Sequence, residues 1–349
     1  MDTRERILAH CARYPQLQPL DLLKFLHHSV FGCGHLVSSP EAAEDWLRRE
    51  IAGCTNDTIE PLDGDFCRVH LGLLSTLGVS PRSFARLFAL SAQKEVGTAK
   101  ALEVRLAVAL ELAREGRLPF SFEAFSVAVE AWRAAGFPAQ HHSDAFRAAY
   151  APAYRVLHRG HAALLPLLGR IDTLLQEKEQ VIFAIDGGAG SGKSTVAALL
   201  EEIYDCTVLH MDDFFLRPEQ RTPERYATPG GNVDHERFLE EVLLPLRRGE
   251  TFRYRPFDCG TFTVGDGFDV MPQRLTIIEG SYSLHPVLRH YYDGSTFLRI
   301  NPAVQRQRIE ARNPTFAQRF FDTWIPLEQA YFHTFDPAEV CDLILEANL

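Results

Sequence analysis

Residues 181 to 195, VIFAIDGGAGSGKST, constrain the chain most. Val181 to Ile185 are an apolar, partly β-branched run that predicts a buried strand. The glycine-rich loop after it leads straight into the helix-forming stretch TVAALLEEIY. Gly187, Gly192, Lys193 and Ser194 complete the spacing G-x-x-x-x-G-K-[ST]. There the glycines let backbone N–H groups curl around an anion without Cβ clashes, and the helix that follows adds its positive N-terminal end. The predicted phosphate cradle is Gly187, Gly188, Ala189, Gly190, Ser191, Gly192, Lys193, Ser194 and Thr195. Lys193 is expected to reach β- and γ-phosphates, and the Ser194 hydroxyl suits Mg²⁺, a hard cation that takes oxygen ligands and keeps several waters.

A chain of 349 residues is long for one core and predicts two domains. A net charge of −10 argues against a protein that coats nucleic acid or anionic membrane. The N-terminus, MDTRERILAHCARYP, lacks the apolar core of a signal peptide, and no stretch approaches the roughly 18 apolar residues of a membrane helix. The expected location is therefore cytoplasmic. The seven cysteines are odd in number and never spaced C-x-x-C, as reduced thiols would be.

Residues 1–178 are predicted to form a mostly α-helical accessory domain. Apolar residues recur at helical spacing in PLDLLKFLHHSVF, SPEAAEDWLRREIAG, SPRSFARLFALSAQ, TAKALEVRLAVALELARE, SFEAFSVAVEAWRAAG and HAALLPLLGRIDTLLQEKE. Ser39-Pro40 and Ser80-Pro81 mark helix starts, because serine caps free N–H groups and proline is tolerated in the first turn. His27, His28, Cys33 and His35, with His141 to Asp144, could bind a metal or an acceptor, but their spacing matches no established ligand set and packing or capping roles are favoured. Pro152 to Arg155 reads as an extended piece.

In residues 179–349, Cys206 to His210 predicts a second strand, ending at Met211-Asp212-Asp213. Ligands gather at the carboxyl ends of parallel strands, so Asp212 is the candidate general base, capping of the next turn being the alternative. Asp234 can cap the helix ERFLEEVLLPLRRG or turn toward a polyol. Thr251 to Phe257 and Thr261 to Val270 alternate enough to predict strands. Leu275 to Ile278 predicts a core strand ending at Glu279, a carboxylate able to hold Mg²⁺. Phe297 to Ile300 and Cys341 to Leu345 predict further strands. Arg306, Arg308 and Arg312 on one helix, with Arg319 in a loop, form either a lid over phosphates or a solvated face.

The order GGAGSGKST, VLHMDDFF, GNVDHERF, YRPFDC, TIIEGSYSL, QRIEARN resembles the uridine kinase and phosphoribulokinase group of P-loop small-molecule kinases, over about residues 181–349. The resemblance implies an α/β fold of the P-loop NTPase type, a parallel sheet with helices on both faces. It implies ATP as donor with Mg²⁺, and a small-molecule acceptor whose most natural class is a nucleoside. It also assigns Asp212 as base, Asp234 and the Phe257 position to the acceptor, Glu279 with Ser194 to Mg²⁺, and Arg308 and Arg312 to the lid. Phe257 replaces the tyrosine usual in uridine kinases, and Cys259 to Phe262 supply neither the His nor the Arg that help read a nucleoside.

The competing class is a nucleotide switch or ATPase whose helical half is the output. There is no N-K-x-D guanine motif, and Glu279 is followed by glycine rather than a second acid. The sequence leaves the oligomeric state, a homo-oligomer included, undecided.

Overall fold

The computed structural model describes residues 2–34, 39–94 and 96–347. The chain divides into two compact units, Met1–Leu165 and Pro166–Leu349.

In the first unit, Ser39, Ser80, Thr98 and Ser121 each accept a backbone N–H and start the helices Pro40–Glu50, Pro81–Ala92, Ala99–Arg114 and Phe122–Ala134. These join the helices Thr3–Arg13, Pro19–Phe31 and Asp144–Tyr150. The unit is not helical throughout. β1 (Ile59–Pro61), β2 (Phe66–His70) and β3 (Tyr154–His158) form an antiparallel sheet in that order. The expected extended piece at Pro152 to Arg155 is the entry to β3, while β1 and β2 escaped the sequence reading. All five residues of β2 are buried, Arg68 and His70 among them. A short strand with polar residues on a buried face shows neither the alternation nor the apolar run that marks strands.

The second unit takes in the helix Leu165–Glu177 apart from its first residue, so the division falls one helix upstream of the expected 178/179 boundary. The Tyr204 hydroxyl donates to Leu168 O and Asp172 within this unit. β4 (Val181–Gly187), β5 (Thr207–His210), β10 (Leu275–Glu279), β11 (Gly294–Arg299) and β12 (Leu343–Glu346) form one sheet in the order β12-β11-β4-β10-β5, every pairing parallel. β4 and β10 are buried along their whole length, as a central strand covered on both faces must be. Ile182, Leu209 and Ile278 pack into one cluster with Phe238, Val242 and Leu246 of the segment His235–Arg247. Phe183, one residue on and so on the opposite face, packs with Leu174 around Gly294.

Between β5 and β10 the chain forms two small ribbons, β6 (Phe252–Tyr254) with β9 (Phe268–Val270) and β7 (Phe257–Asp258) with β8 (Thr263–Val264). The strands expected between Thr261 and Val270 are β8 and β9, which Gly265 to Gly267 separate into the two ribbons. The segment His235–Arg247 carries a π-turn at Leu239–Leu243, and Arg319 ends a short helix instead of lying in a loop.

Gly280 follows β10 with φ +143°, and a Cβ there would stand 2.7 Å from the Met211 Cβ and 3.2 Å from the Met211 N. Only glycine allows the end of β10 to pass this close to the turn after β5. Gly280→Ala is expected to cost about 2 kcal/mol, read as a lower urea midpoint for the unfolding transition of the second unit.

Candidate active site

β4 ends where the glycine loop begins, and Gly192, at φ 97°, caps the helix Lys193–Tyr204. Lys193 is buried and folds back over the loop, its Nζ donating to Gly187 O at 2.9 Å, Gly188 O at 3.1 Å and Ser281 Oγ at 3.3 Å. The Ser194 hydroxyl donates to Glu279 Oε1 at 3.0 Å. Glu279, the last residue of β10, also meets His210 Nδ1 at 2.6 Å. Burial opposes ionisation of Glu279, but the hydrogen bond from His210 and the charge of Lys193 hold its carboxyl below the usual range. The same hydrogen bond raises His210 above its ordinary value.

Asp212 lies in the 3₁₀ turn Met211–Phe214 directly after β5. Its side chain is open to solvent, yet it stands in a recess dense with protein. Loss of bulk water there raises its carboxyl above the ordinary aspartate value, against the pull of Lys193. Among the described residues its carboxylate accepts no hydrogen bond. Lys193, Ser194, Glu279 and Asp212 therefore stand at the carboxyl ends of β4, β10 and β5, which are neighbours in the sheet.

Asp186 and Glu328 complete the loop's surroundings, and sequence reasoning named neither as a site residue. Asp186, fully buried in β4, accepts from Gly187 N at 2.6 Å, Tyr282 N at 3.2 Å, Leu284 N at 2.9 Å and Tyr331 Oη at 2.9 Å. Burial raises its carboxyl despite these donors. Glu328, on the helix Ile325–Phe335, accepts the Ala189 N–H at 3.1 and 3.0 Å and the Ser281 hydroxyl at 2.7 Å. Burial raises it too, Lys193 opposing. Position could have flagged Asp186, which directly precedes the first loop glycine. No sequence signal marked Glu328 or His210.

Of the arginines, Arg308 donates to Gly190 O at 3.3 Å and Ala347 O at 2.9 Å. Arg312 joins Arg308 and Thr195 around a cavity of about 290 Å³ beside Gly190 and Gly192. Arg306 turns away, onto the Phe321 ring and Glu310, and Arg319 lies over Trp324. The four thus separate into two at the loop and two on aromatic rings.

A larger cavity, about 750 Å³, is lined by Arg217, Asp234, Arg237, Glu241, Arg255 and Phe262 among others. Asp234 is buried; one oxygen accepts from Arg237 N at 3.2 Å as a helix cap, and the other, Oδ2, accepts no hydrogen bond among the described residues and stands 3.7 Å from both Arg217 Nε and Arg237 Nε. Capping and facing a polar ligand are therefore compatible. Arg237 donates to Asp213 O at 3.1 Å, which ties this cavity to the turn that carries Asp212. Phe257 is buried behind the cavity, beneath Arg221, and Phe262 lines it instead.

In the first unit, Cys33 donates to Val156 O at 2.9 Å, and burial pushes its thiol up to about 12. His142 lies between Asp21 and Tyr154. His27 and His28 are buried, and His35 lies outside the described residues. No group of three His, Cys, Asp or Glu side chains among the described residues is arranged to hold a metal. No helix among them is long and apolar enough to cross a membrane.

A parallel sheet whose central strand runs into this glycine loop, with the loop lysine and a strand-end acid beside it, is a P-loop α/β fold. No family model matches the chain. It is 28% identical over 159 residues to the uridine kinase of Geobacillus kaustophilus (strain HTA426), covering 42% of this chain and 74% of that protein. It is 32% identical over 113 residues to the uridine kinase of Geobacillus sp. (strain WCH70), covering 30% of this chain and 52% of that one. The solved structure of a possible uridine kinase from Bacillus stearothermophilus aligns with 51% of this chain and 98% of its own at 21% identity, with a TM-score of 0.39. The chain is thus similar to uridine kinases over 42% and 30% of its length in these two comparisons.

The His210–Glu279 pair carries its own pH signature. Because His210 is raised in the folded state, the stability it adds is full below the unfolded histidine value of 6.5 and is lost as pH rises through the higher folded value. Thermal unfolding across that window is expected to show this slope, and His210→Asn to flatten it.

Proposed function

We propose that the second unit transfers the γ-phosphate of ATP to a hydroxyl of a small metabolite, with Mg²⁺ bound by Ser194 and Glu279 and a nucleoside as the acceptor class. One observation carries this reading: the loop lysine, the Ser194–Glu279 oxygen pair and the unpaired carboxylate of Asp212 meet at the carboxyl ends of three adjacent strands.

In this reading Asp212 takes the proton of the acceptor hydroxyl as its oxygen attacks the γ-phosphorus, the bond from that phosphorus to the bridging oxygen breaks, and ADP leaves. A raised carboxyl is the stronger base, and lone pairs without a protein donor are open to the acceptor O–H. Lys193 exchanges loop carbonyls for phosphate oxygens. The hard oxygens of Ser194 and Glu279 suit Mg²⁺, which uses one or two carboxylates beside phosphates and water. When bound, the ion neutralises charge developing on the transferring group. Arg308 and Arg312 border the loop from the helix Pro302–Arg312. Asp234 Oδ2, which accepts no hydrogen bond among the described residues and faces Arg217 and Arg237, offers an acceptor for sugar hydroxyls, and Phe262 an apolar face for a base. The relatives' name, uridine kinase, supports the nucleoside class.

ADP release from Mg·ATP should depend on the acceptor when uridine, cytidine, other nucleosides, pantothenate and sugar alcohols are compared. Asp212→Asn should lower kcat about 10²- to 10⁴-fold with ATP binding retained. Release that ignores the acceptor and survives the substitution would overturn the assignment.

Glu328 sets a second expectation. Its carboxylate occupies donors at the mouth of the loop where an anion is to bind. Glu328→Gln removes the like charge and should tighten ATP binding several-fold, on the order of 1 kcal/mol, by calorimetry; unchanged or weaker binding rules the charge effect out.

A further inference from the structure

The first unit contains a buried set of ionisable side chains that the proposed reaction does not use. Glu60, the buried middle residue of β1 and opposite Arg68 of β2, is its hub. Oε1 meets His10 Nδ1 at 2.5 Å, and Oε2 has Tyr14 Oη at 3.3 Å, Arg68 Nη1 at 3.6 Å and His70 Nε2 at 4.0 Å around it. Burial would raise this acid, but Arg68 and His10 hold it at about 2, so it is a carboxylate. His10, 3% exposed, is lowered to about 4 by burial and is neutral. With Nδ1–H donating to Glu60, its Nε2 is an acceptor.

Arg68 is 1% exposed, yet among the described residues its Nε and Nη2 have no hydrogen-bond partner, and the same is true of His10 Nε2 and His70 Nε2. Buried guanidinium N–H groups without acceptors are costly. These nitrogens belong to the residues gathered around one carboxylate and one aromatic pair. The Arg68 guanidinium lies 4.7 Å from the Tyr154 ring centroid and 5.4 Å from that of Phe25, on which His10 stacks at 4.1 Å. Both carboxylates of the cluster are already spent, Glu60 as above and Asp21 on His142 and Ser143. What remains unspent is two donors on a cation and the imidazole nitrogens of two histidines.

Tyr154, on whose ring the Arg68 guanidinium lies, is half-buried, and its hydroxyl is held by His142 Nε2 at 2.6 Å. Lys24, also partly accessible, donates to Gln140 O at 2.7 Å, and burial and then the charge of Arg68 lower it to about 8.

We propose that this cluster is a ligand site of the first unit, separate from the P-loop, that takes a small oxyanion carrying a hydroxyl, either a phosphate monoester or a hydroxycarboxylate. The oxyanion accepts from Arg68 Nε and Nη2, a fork that fits two oxygens of one planar or tetrahedral group, and the hydroxyl donates to His10 Nε2 or His70 Nε2. A neutral ligand would leave the guanidinium donors unmet, and a bare cation would face Arg68. The site stands or falls independently of the kinase reaction.

The test follows the imidazole resonances of His10 and His70 by NMR in the full-length, histidine-labelled chain titrated with inorganic phosphate and, separately, with glycolate. The readout is local to the first unit, so phosphate held at the P-loop does not register. Saturable shifts of both residues are expected with at least one probe, and the probe that binds more tightly identifies the source of the oxyanion. Arg68→Lys, which keeps the charge and loses the fork, should weaken that binding about tenfold or more. No saturable shift with either probe, or undiminished affinity in Arg68→Lys, overturns the proposal. If Arg68→Lys loses the folded spectrum, His10→Gln and His70→Gln, each made singly, decide: unchanged affinity in both overturns the proposal, and a several-fold loss in either supports it.

Discussion

The buried carboxylate of Asp186 holds the catalytic end of the second unit together. A single side chain at the end of β4 receives N–H groups from its own loop and from the segment after β10, and a hydroxyl from the helix Ile325–Phe335. The four donors come from three parts of the chain, so one acid fixes where the glycine loop, the turn after Glu279 and that helix meet. An acid so buried is costly unless satisfied, and its four donors meet that requirement.

Charge around the loop follows from the same packing. Asp186, Glu279, Glu328 and Asp212 gather near one lysine, and burial raises three of the four carboxyls. Glu279 is the exception, because His210 and Lys193 stabilise its charge. A site with more carboxylates than cations favours a bound divalent ion, and in the proposed reaction that ion and the phosphates would complete the balance. Glu328 is the acid most affected, since its oxygens sit on a loop N–H that an incoming phosphate would approach. The helix that carries it also carries Tyr331, three residues on, so contact with the loop and with Asp186 is made by one rigid element.

The two units differ in how their polar cores are arranged. In the second, ionisable groups line recesses at the end of a parallel sheet, where such folds place their ligands. In the first they lie against a three-stranded antiparallel sheet inside a helical shell, with Arg68 among the most deeply buried side chains of the chain. Burying an arginine on a five-residue strand leaves little apolar signal on either side. That is why β2 was not legible and why the unit reads as mostly helical.

What the sequence by itself determined is local. The strand, glycine loop and helix of residues 181–204 are contiguous, and their chemistry depends on backbone geometry that nearby glycines supply. The same holds for the serine and threonine caps of the first unit, and for Asp212 and Glu279, which end strands that can be read from their own apolar runs. Tertiary structure decided the rest. Only the parallel order β4-β10-β5 brings Asp212, Glu279 and Lys193 to one edge. Only packing of the helix Ile325–Phe335 puts Glu328 on Ala189 and Tyr331 on Asp186, and only the fold of the first unit surrounds Glu60 with His10, Arg68 and His70. Residues far apart in the chain carry no mark of their partners, because periodicity and capping report on neighbours three or four positions away, whereas a buried polar contact is set by whatever the fold delivers to meet it.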